Sequence, residues 1–458
     1  MNTQAKTTRL AIDMTEGPLL GKMIKFTIPI MLTGVLQLLF NATDLVMVGR
    51  FAGTAALAGV GCCSSLIHLI VNAFMGLSTG AGVLSSQAIG AKKYDDLQKI
   101  INTTFVTSIV AGLLVGAFGF FASEPLLVLM DTPADALSEA VRYMKAYFLG
   151  IPACLIYNYL AAVLRASGDT RRPLIFLTVA GVANVGLNYI MVAHIRLGAM
   201  GVGIATAVSQ FISAALIVIH FLKKQGVCRI TGLRPSVKFL GKIVTVGLPA
   251  GIQGMMFSIS NVLIQSTING YGTVVMAGNT AAQNIDGFLN VAMNSVHQTA
   301  LNFTGQNVGA GEYKRVKKIA WLSMLILLCI TSVLIPLVLI FGEQLLGIYE
   351  PGKHDVIAAG MNRLLVICPT YLLCGAMDVM CGLVRGTGKT IQPMIVALVG
   401  TCVFRIVWIY FVCPLAPTNI TLLYISYPIS WSMTGAAHLV TFAGAYRRLS
   451  RGKHKQLI

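Results

Sequence analysis

PIMLTGVLQLLFNATDLVMVGRF, residues 29–51, is a long apolar run with one carboxylate, Asp44, towards its far end. As a helix, such a run crosses a bilayer core of about 30 Å. A charge inside a spanning helix costs about 2.5–3.5 kcal/mol on insertion scales, so it normally faces a cavity or a partner and marks function. The alternative is an Asp that caps or packs near the membrane surface.

Comparable runs recur along all 458 residues, of which 56% are hydrophobic and 11% charged. A soluble domain carries about 25% charged residues. Mean hydropathy is +0.77. The chain therefore reads as an all-α polytopic membrane protein with no appended soluble domain. Twelve transmembrane helices are expected, near 23–48, 54–79, 99–123, 141–163, 173–194, 199–221, 240–267, 273–300, 318–341, 360–383, 392–412 and 421–445. The polar start MNTQAKTTRLAIDMTEGPLLGK has no apolar h-region or cleavage site, so it reads as a short cytoplasmic segment before an uncleaved first helix.

The net charge of +18 is placed by topology. Counted from an inner N-terminus, inner segments hold 27 of the 34 Lys and Arg and 6 of the 16 acids. Outer segments hold 6 basic and 7 acidic residues, leaving Asp44, Asp286, Asp378 and Arg405 at depth. This is the positive-inside bias of a multi-pass protein of the cytoplasmic membrane with both termini in the cytoplasm. The basic surface meets anionic lipid, not nucleic acid. Ten cysteines lie scattered without a CxxC pair and read as small buried hydrophobes. Seven scattered histidines offer no metal-ligand spacing, and no acid/base or nucleophile constellation appears within the spans, which argues against an enzyme.

The chain is duplicated. LGK at 20–22 returns at 240–242, and Pro29 returns as Pro249. QAIGAKKYDDLQKI (87–100) returns as QNVGAGEYKRVKKI (306–319), and LRASGDTRRP (164–173) as VRGTGKTIQP (384–393), at an offset of 219 or 220 residues. Six spans per copy is an even number, so both copies enter the membrane in the same sense and form a parallel repeat. Two six-helix bundles follow, an N-lobe over 1–225 and a C-lobe over 226–458. In the Q-x-x-G-A loops the Gly is expected to take the left-handed position that ends a helix. In R-x-x-G-x-T-x-x-P, Arg165 and Arg385 sit at the inner interface, Gly and Thr form the turn, and Pro173 and Pro393 open the next helix where no N–H is needed. LRASGDT lacks the GxxxxGK[ST] spacing, so an ATPase reading fails.

P-x(14)-D-x(4)-GR in the first helix, Q-x-x-GA after the second and RASGDTxxP after the fourth resemble the multidrug and toxic compound extrusion (MATE) family over essentially the whole chain. The resemblance implies a V-shaped pair of bundles around a central cleft. It also implies export of organic, often cationic, compounds by H⁺ or Na⁺ antiport with alternating access, without a cofactor. The family's amino-terminal cation site is matched here by Asp44, Asn184, Asn188 and Thr206, with Asn188 where many members have Asp. That departure removes one negative charge, and Na⁺ at Asp44 is the one metal-ion expectation. Asp378 matches the tenth-helix Asp, while Phe257 stands where sodium-coupled members carry a seventh-helix Glu.

Depth along each helix agrees with the first set. At 1.5 Å per residue from the nearest flanking Arg, Asp44 lies about 9 Å, Asn188 about 12 Å, Thr206 about 15 Å and Asn184 about 18 Å from the outer end. Asn184 and Asn188, four apart, share a helix face. The plainer alternative is that these amides and the hydroxyl stitch helices together. Asp378, about 10 Å from the inner end, is open to substrate binding, gating or packing. Arg405, about 24 Å from the inside, is expected to pair structurally with Asp286. Phe40, Met47, Met75, Met255, Met256 and Phe257 are the adaptable apolar and aromatic candidates for substrate contact. One chain is taken as the working unit, a monomer in the lipid bilayer that handles small organic molecules. The rival within the superfamily is a lipid-linked oligosaccharide flippase, which a cationic interior would favour.

Overall fold

Each expected span coincides with a helical rod. The computed structural model describes residues 12–130, 132–223, 228–349 and 351–451. The expected cytoplasmic start lies largely outside them, as does the expected lobe boundary at 225/226. The first repeat comprises α1 (Leu19–Phe51), α2 (Thr54–Gly90), α3 (Tyr94–Leu129), α4 (Ala134–Ala166), α5 (Arg171–Asn188) and α6 (Ala199–Leu222). The second comprises α7 (Val237–Asn269), α8 (Thr273–Gly309), α9 (Tyr313–Ile340), α10 (Gly342–Tyr349), α11 (His354–Ile367), α12 (Tyr371–Gly386), α13 (Ile391–Ala397), α14 (Phe404–Phe411) and α15 (Ile420–Ser450). α11 with α12, and α13 with α14, continue one another through short 3₁₀ and π segments as single rods. Among the described residues ten helices are long and apolar enough to cross a membrane, and α8 and α15, at 37 and 31 residues, match them in length. Prolines at 29, 125, 152, 249, 336 and 428 stand inside helices, as a membrane setting tolerates.

The described residues form two compact units. One holds residues 12–13 and Leu32–Gly251, and the other joins Met14–Met31 to residues 252–451. Both boundaries cut helices, α1 after Met31 and α7 after Gly251, and these two positions are 220 residues apart, the repeat offset.

In the first unit, the opening turns of α7 pack against α2 backbone to backbone. A Cβ on Gly76 would stand 2.0 Å from the Gly251 nitrogen, and one on Gly80 would stand 2.4 Å from the Ile243 oxygen. G76-x-x-x-G80 faces G247-x-x-x-G251, small residues letting two membrane helices touch. In the second unit the equivalent contact, α1 on α8, is made with larger groups. Thr27 Oγ1 and Thr299 Oγ1 hydrogen-bond at 2.8 Å, and the rings of Phe26 and Phe303 meet edge to face at 5.5 Å. Hydrophobic cores lie around Phe148, Tyr159 and Ile67, and around Leu97, Phe221 and Phe239, in the first unit. Ala282, Ile285 and Leu364 centre one in the second.

The repeated loops share their hydrogen bonding. Lys93 N donates to Ala88 O and Lys92 N to Ile89 O; Glu312 N donates to Asn307 O and Gly311 N to Val308 O. This is a Schellman closure. Its left-handed residue is not the Gly of Q-x-x-G-A, contrary to expectation. Gly90 and Gly309 are the last helical residues, and the turn falls two positions later, on Lys92 (φ 56°) and Gly311 (φ 76°). The six-to-one bond has to reach back over the last helical turn, which sets the reversal beyond the final helical residue. In the other loop Gly168 (φ 89°) and Gly388 (φ 91°) make the reversal, and Pro173 and Pro393 stand in the first turn of α5 and α13. Eight of the ten cysteines are buried and all ten are unpaired thiols.

Candidate functional site

Asp44 stands three-quarters of the way along α1, in the first unit, and both of its carboxylate oxygens accept hydrogen bonds. Asn188 Nδ2 donates to Oδ1 at 2.5 Å, and Thr206 Oγ1 donates to Oδ2 at 3.3 Å. Asn188 Nδ2 also donates to Asn184 Oδ1 at 3.1 Å, so Asn184 stands one step behind. The four residues expected to share a level are thus brought into one hydrogen-bonded chain across α1, α5 and α6. Asn184 and Asn188 are buried, and Asp44 and Thr206 are half-buried. Among the described residues no Lys, Arg or His forms an ion pair with Asp44. Asn188 Oδ1 is buried with no hydrogen-bond partner among the described residues.

Local chemistry sets each group. α1 meets α5 where Gly181 has no side chain, and a Cβ there would stand 1.8 Å from the Phe40 ring. Phe40 and Asp44 are four apart on α1, and Gly181, Asn184 and Asn188 follow one face of α5, so the contact at Phe40 delivers the carboxylate to the amides one turn on. Asn188 is the last α-helical residue before a π-helical segment, Tyr189–His194. Such segments interrupt regular helices, often at functional positions. On α6, Glu139 Oε2 accepts from Ala199 N at 3.0 Å, placing a carboxylate at the helix start, where the dipole favours it. Gly203 and Ala207 press closely on Ala146 and Gly150 of α4, and Thr206, between them in sequence, turns towards α1. Sequence reasoning missed Gly181; the signal available was a small residue one turn before Asn184.

A carboxylate held by two neutral donors and no cation can take up a proton or a monovalent cation. The singly anionic, oxygen-bearing set suits either. Among the described residues no group of three or more His, Cys, Asp or Glu side chains gathers to hold a metal ion.

The other candidates are placed differently. Asp378, half-buried on α12, belongs to the second unit, and its backbone oxygen accepts from His297 Nδ1 at 2.6 Å. The expected Arg405–Asp286 pair does not form. Asp286 Oδ2 instead accepts from Arg363 Nη2 at 2.7 Å and Nε at 3.2 Å, and Arg363 Nη1 donates to Asn279 Oδ1 at 2.9 Å. Arg405 Nε donates to Ser430 Oγ at 3.0 Å, and its guanidinium lies 4.0 Å from the centre of the Tyr427 ring. α11 packs on α8 and brings Arg363, near the start of the expected 360–383 span, to Asp286; α14 faces α15, whose aromatic rings receive Arg405. Phe40 is spent on the Gly181 contact, and Met75 packs against the first unit's core. Met47 is half-buried in the first unit; Met255, Met256 and Phe257 are consecutive half-buried residues of α7 in the second.

Comparison with known proteins follows the same lines. The MatE family model matches twice, over residues 29–190 and 249–411, one match per repeat. The probable multidrug resistance protein YpnP of Bacillus subtilis is 30% identical over 395 residues, 86% of this chain and 88% of YpnP. The multidrug export protein MepA of Staphylococcus saprophyticus is 22% identical over 82% of this chain and 83% of its own. A solved MOP-superfamily transporter from Pyrococcus furiosus superposes with a TM-score of 0.90 at 21% identity, covering 98% of this chain and 100% of that one. An outward-facing MATE-family multidrug resistance transporter gives 0.90 at 20% identity with the same coverage. At these identities the structural likeness carries the fold.

Proposed function

Because the chain belongs to the MatE family, whose members are multi-pass membrane transporters and not enzymes, we propose that it exports organic, often cationic, compounds by antiport against H⁺ or Na⁺ with Asp44 as the coupling group. One observation carries the assignment: Asp44 is a carboxylate within a membrane-spanning helix, held by Asn188 and Thr206, with no basic partner among the described residues. Members of the family need no cofactor and are coupled by ions. The multidrug names of YpnP and MepA support the class of cargo.

Coupling requires a cation that binds outward-open and inward-open states unequally, since equal affinity shifts nothing. Occupation of Asp44 from outside neutralises it and releases the hold on Asn188 and Thr206. The surrounding helices then rearrange, and the exported compound leaves. Asn188 in place of a second carboxylate leaves one charge to neutralise per cycle at this site. Asn188 Oδ1, without a partner among the described residues, is a further oxygen for a bound Na⁺. Phe257 gives the second unit no carboxylate to pair with Asp378 from α7, so the coupling cation is assigned to the first unit. The protein works in the cytoplasmic membrane as a monomer with both termini inside. The flippase reading loses ground on the interior charges, since Arg363 is neutralised by Asp286 and Arg405 is stacked on Tyr427.

Dye efflux from proteoliposomes, with a pH gradient and a Na⁺ gradient imposed separately, tests the assignment. Asp44→Asn is expected to reach the membrane and lose gradient-driven export. Undiminished export by that variant would overturn it.

A further inference from the structure

The connection between the two repeats, residues 228–236, runs along α3 in the first unit. Its side chains alternate as in an extended strand: Cys228 and Ile230 are buried, Arg229 and Thr231 exposed. Asn102 Nδ2 donates to Thr231 Oγ1 and Thr231 N to Asn102 Oδ1, both at 3.0 Å; Ser236 N donates to Thr103 Oγ1 at 2.9 Å. Gln98 Nε2 also donates to the Arg229 carbonyl. These bonds fix the start of α7 against α3.

The result is a cationic surface. Arg229, Arg234 and Lys238 are exposed, and Lys242, half-buried one turn after Lys238, has Lys238, Asp96 and Lys93 as charged neighbours. The ammonium groups of Lys238 and Lys242 stand 5.7 and 5.4 Å from the centre of the Phe239 ring, itself buried in the core. Asp95 and Asp96 lie in the first turn of α3, and Asp96 is the acid beside Lys242. Among these cations lie two bare apolar side chains, Leu233 at 66% and Val237 at 84% exposure, the latter the most exposed large hydrophobe among the described residues. Water is a poor solvent for them, whereas the headgroup/acyl boundary accepts apolar groups flanked by cations.

We propose that this surface is a binding site for an anionic phospholipid. Arg234, Lys238 and Lys242 take the phosphate, and Leu233 and Val237 enter the acyl boundary. The site draws on the chain's embedding in a membrane and not on the export reading, so the two stand or fall separately.

The test uses the full-length protein purified in detergent, titrated with phosphatidylglycerol or phosphatidylcholine, with retained lipid counted by native mass spectrometry. Preferential retention of phosphatidylglycerol is expected. It should weaken about fivefold for each charge removed, roughly a hundredfold in R234Q/K238Q/K242Q. L233S/V237S should weaken both lipids, while R447Q/R448Q, at the far end of α15, should change neither. The single variants R234Q and K238Q give the fivefold step should the triple variant not fold. Equal retention by parent and variants, an equal loss in R447Q/R448Q, or displacement of phosphatidylglycerol by equimolar inorganic phosphate would each overturn the proposal.

Discussion

The Phe40 ring lies on the bare backbone of Gly181, where even one added carbon would come within 1.8 Å of it. That contact seats α1 on α5 one turn from the Asp44–Asn188 hydrogen bond. Gly181→Ala is therefore expected to force the helices apart, costing about 1–3 kcal/mol, and to lower export more than it lowers the amount of protein in the membrane. Phe40→Leu, which lacks the clashing ring atoms, should restore part of both losses in the double variant. A Gly181→Ala protein with unaltered export would show that the site tolerates the wedge.

Thr206 holds Asp44 through its hydroxyl alone. Thr206→Val keeps the shape and removes the donor, a loss of about 1 kcal/mol in the hold on the carboxylate. The coupling-ion concentration at half-maximal efflux is expected to move about five- to tenfold, with Thr206→Ser close to the parent. Identical ion dependence in the Val variant would remove Thr206 from the site.

Arg363 and Asp286 form a buried pair, at 4% and 3% exposure. Removing one partner leaves an uncompensated buried charge, at a cost of about 3–5 kcal/mol, whereas removing both leaves none. In a double-mutant cycle on thermal unfolding, Arg363→Leu and Asp286→Leu should couple strongly and partly rescue one another. Arg405→Leu and Asp286→Leu should be nearly additive, because Arg405 is committed to Ser430 and Tyr427. The opposite pattern would reinstate the Arg405–Asp286 pair.

Gly251→Val inserts three carbons where the Ala73 oxygen lies only 2.2 Å from the place a Cβ would take, with backbone on both sides. A fall in the thermal midpoint is expected, larger than for Gly272→Ala, a left-handed position with open space around it. Equal falls would mean that α2 and α7 can part at little cost.

In the 387–390 loop of the second repeat, desolvation and the neighbouring Arg448 lower the Lys389 pKa from its ordinary value. The folded state thus binds that proton less tightly than the unfolded chain does, so the penalty is present at neutral pH and fades as pH rises through the ordinary lysine range. Arg448→Gln should raise the thermal midpoint at pH 7 and low salt, and raise it less at high salt or above about pH 10.5. A gain independent of both salt and pH would point to a cause other than charge.

Much of the fold was legible because hydropathy, repeat spacing and turn chemistry are local properties. Twelve rods, the offset of 219 or 220, and the placing of Pro173 and Pro393 in first turns need only the residues concerned and their immediate neighbours. The Asp44 neighbours were legible too, since depth along a helix follows from its 1.5 Å rise. Depth could not say that Asn188 and Thr206 touch the carboxylate while Asn184 touches Asn188.

By itself, then, the sequence determined a duplicated all-helical membrane chain with a carboxylate in its first span. It could not determine which charges meet, because Asp286 lies within reach of more than one Arg in depth, and only the packing of α11 on α8 selects Arg363. Nor could it show that Lys92, not Gly90, takes the left-handed turn, since that follows from where the closing hydrogen bond falls. Helix faces meet at angles and separations set by side-chain volume, and the smallest residues, Gly181, Gly76 and Gly251, decide how closely. Those separations are properties of pairs of helices far apart in sequence, which is why tertiary structure alone settled them.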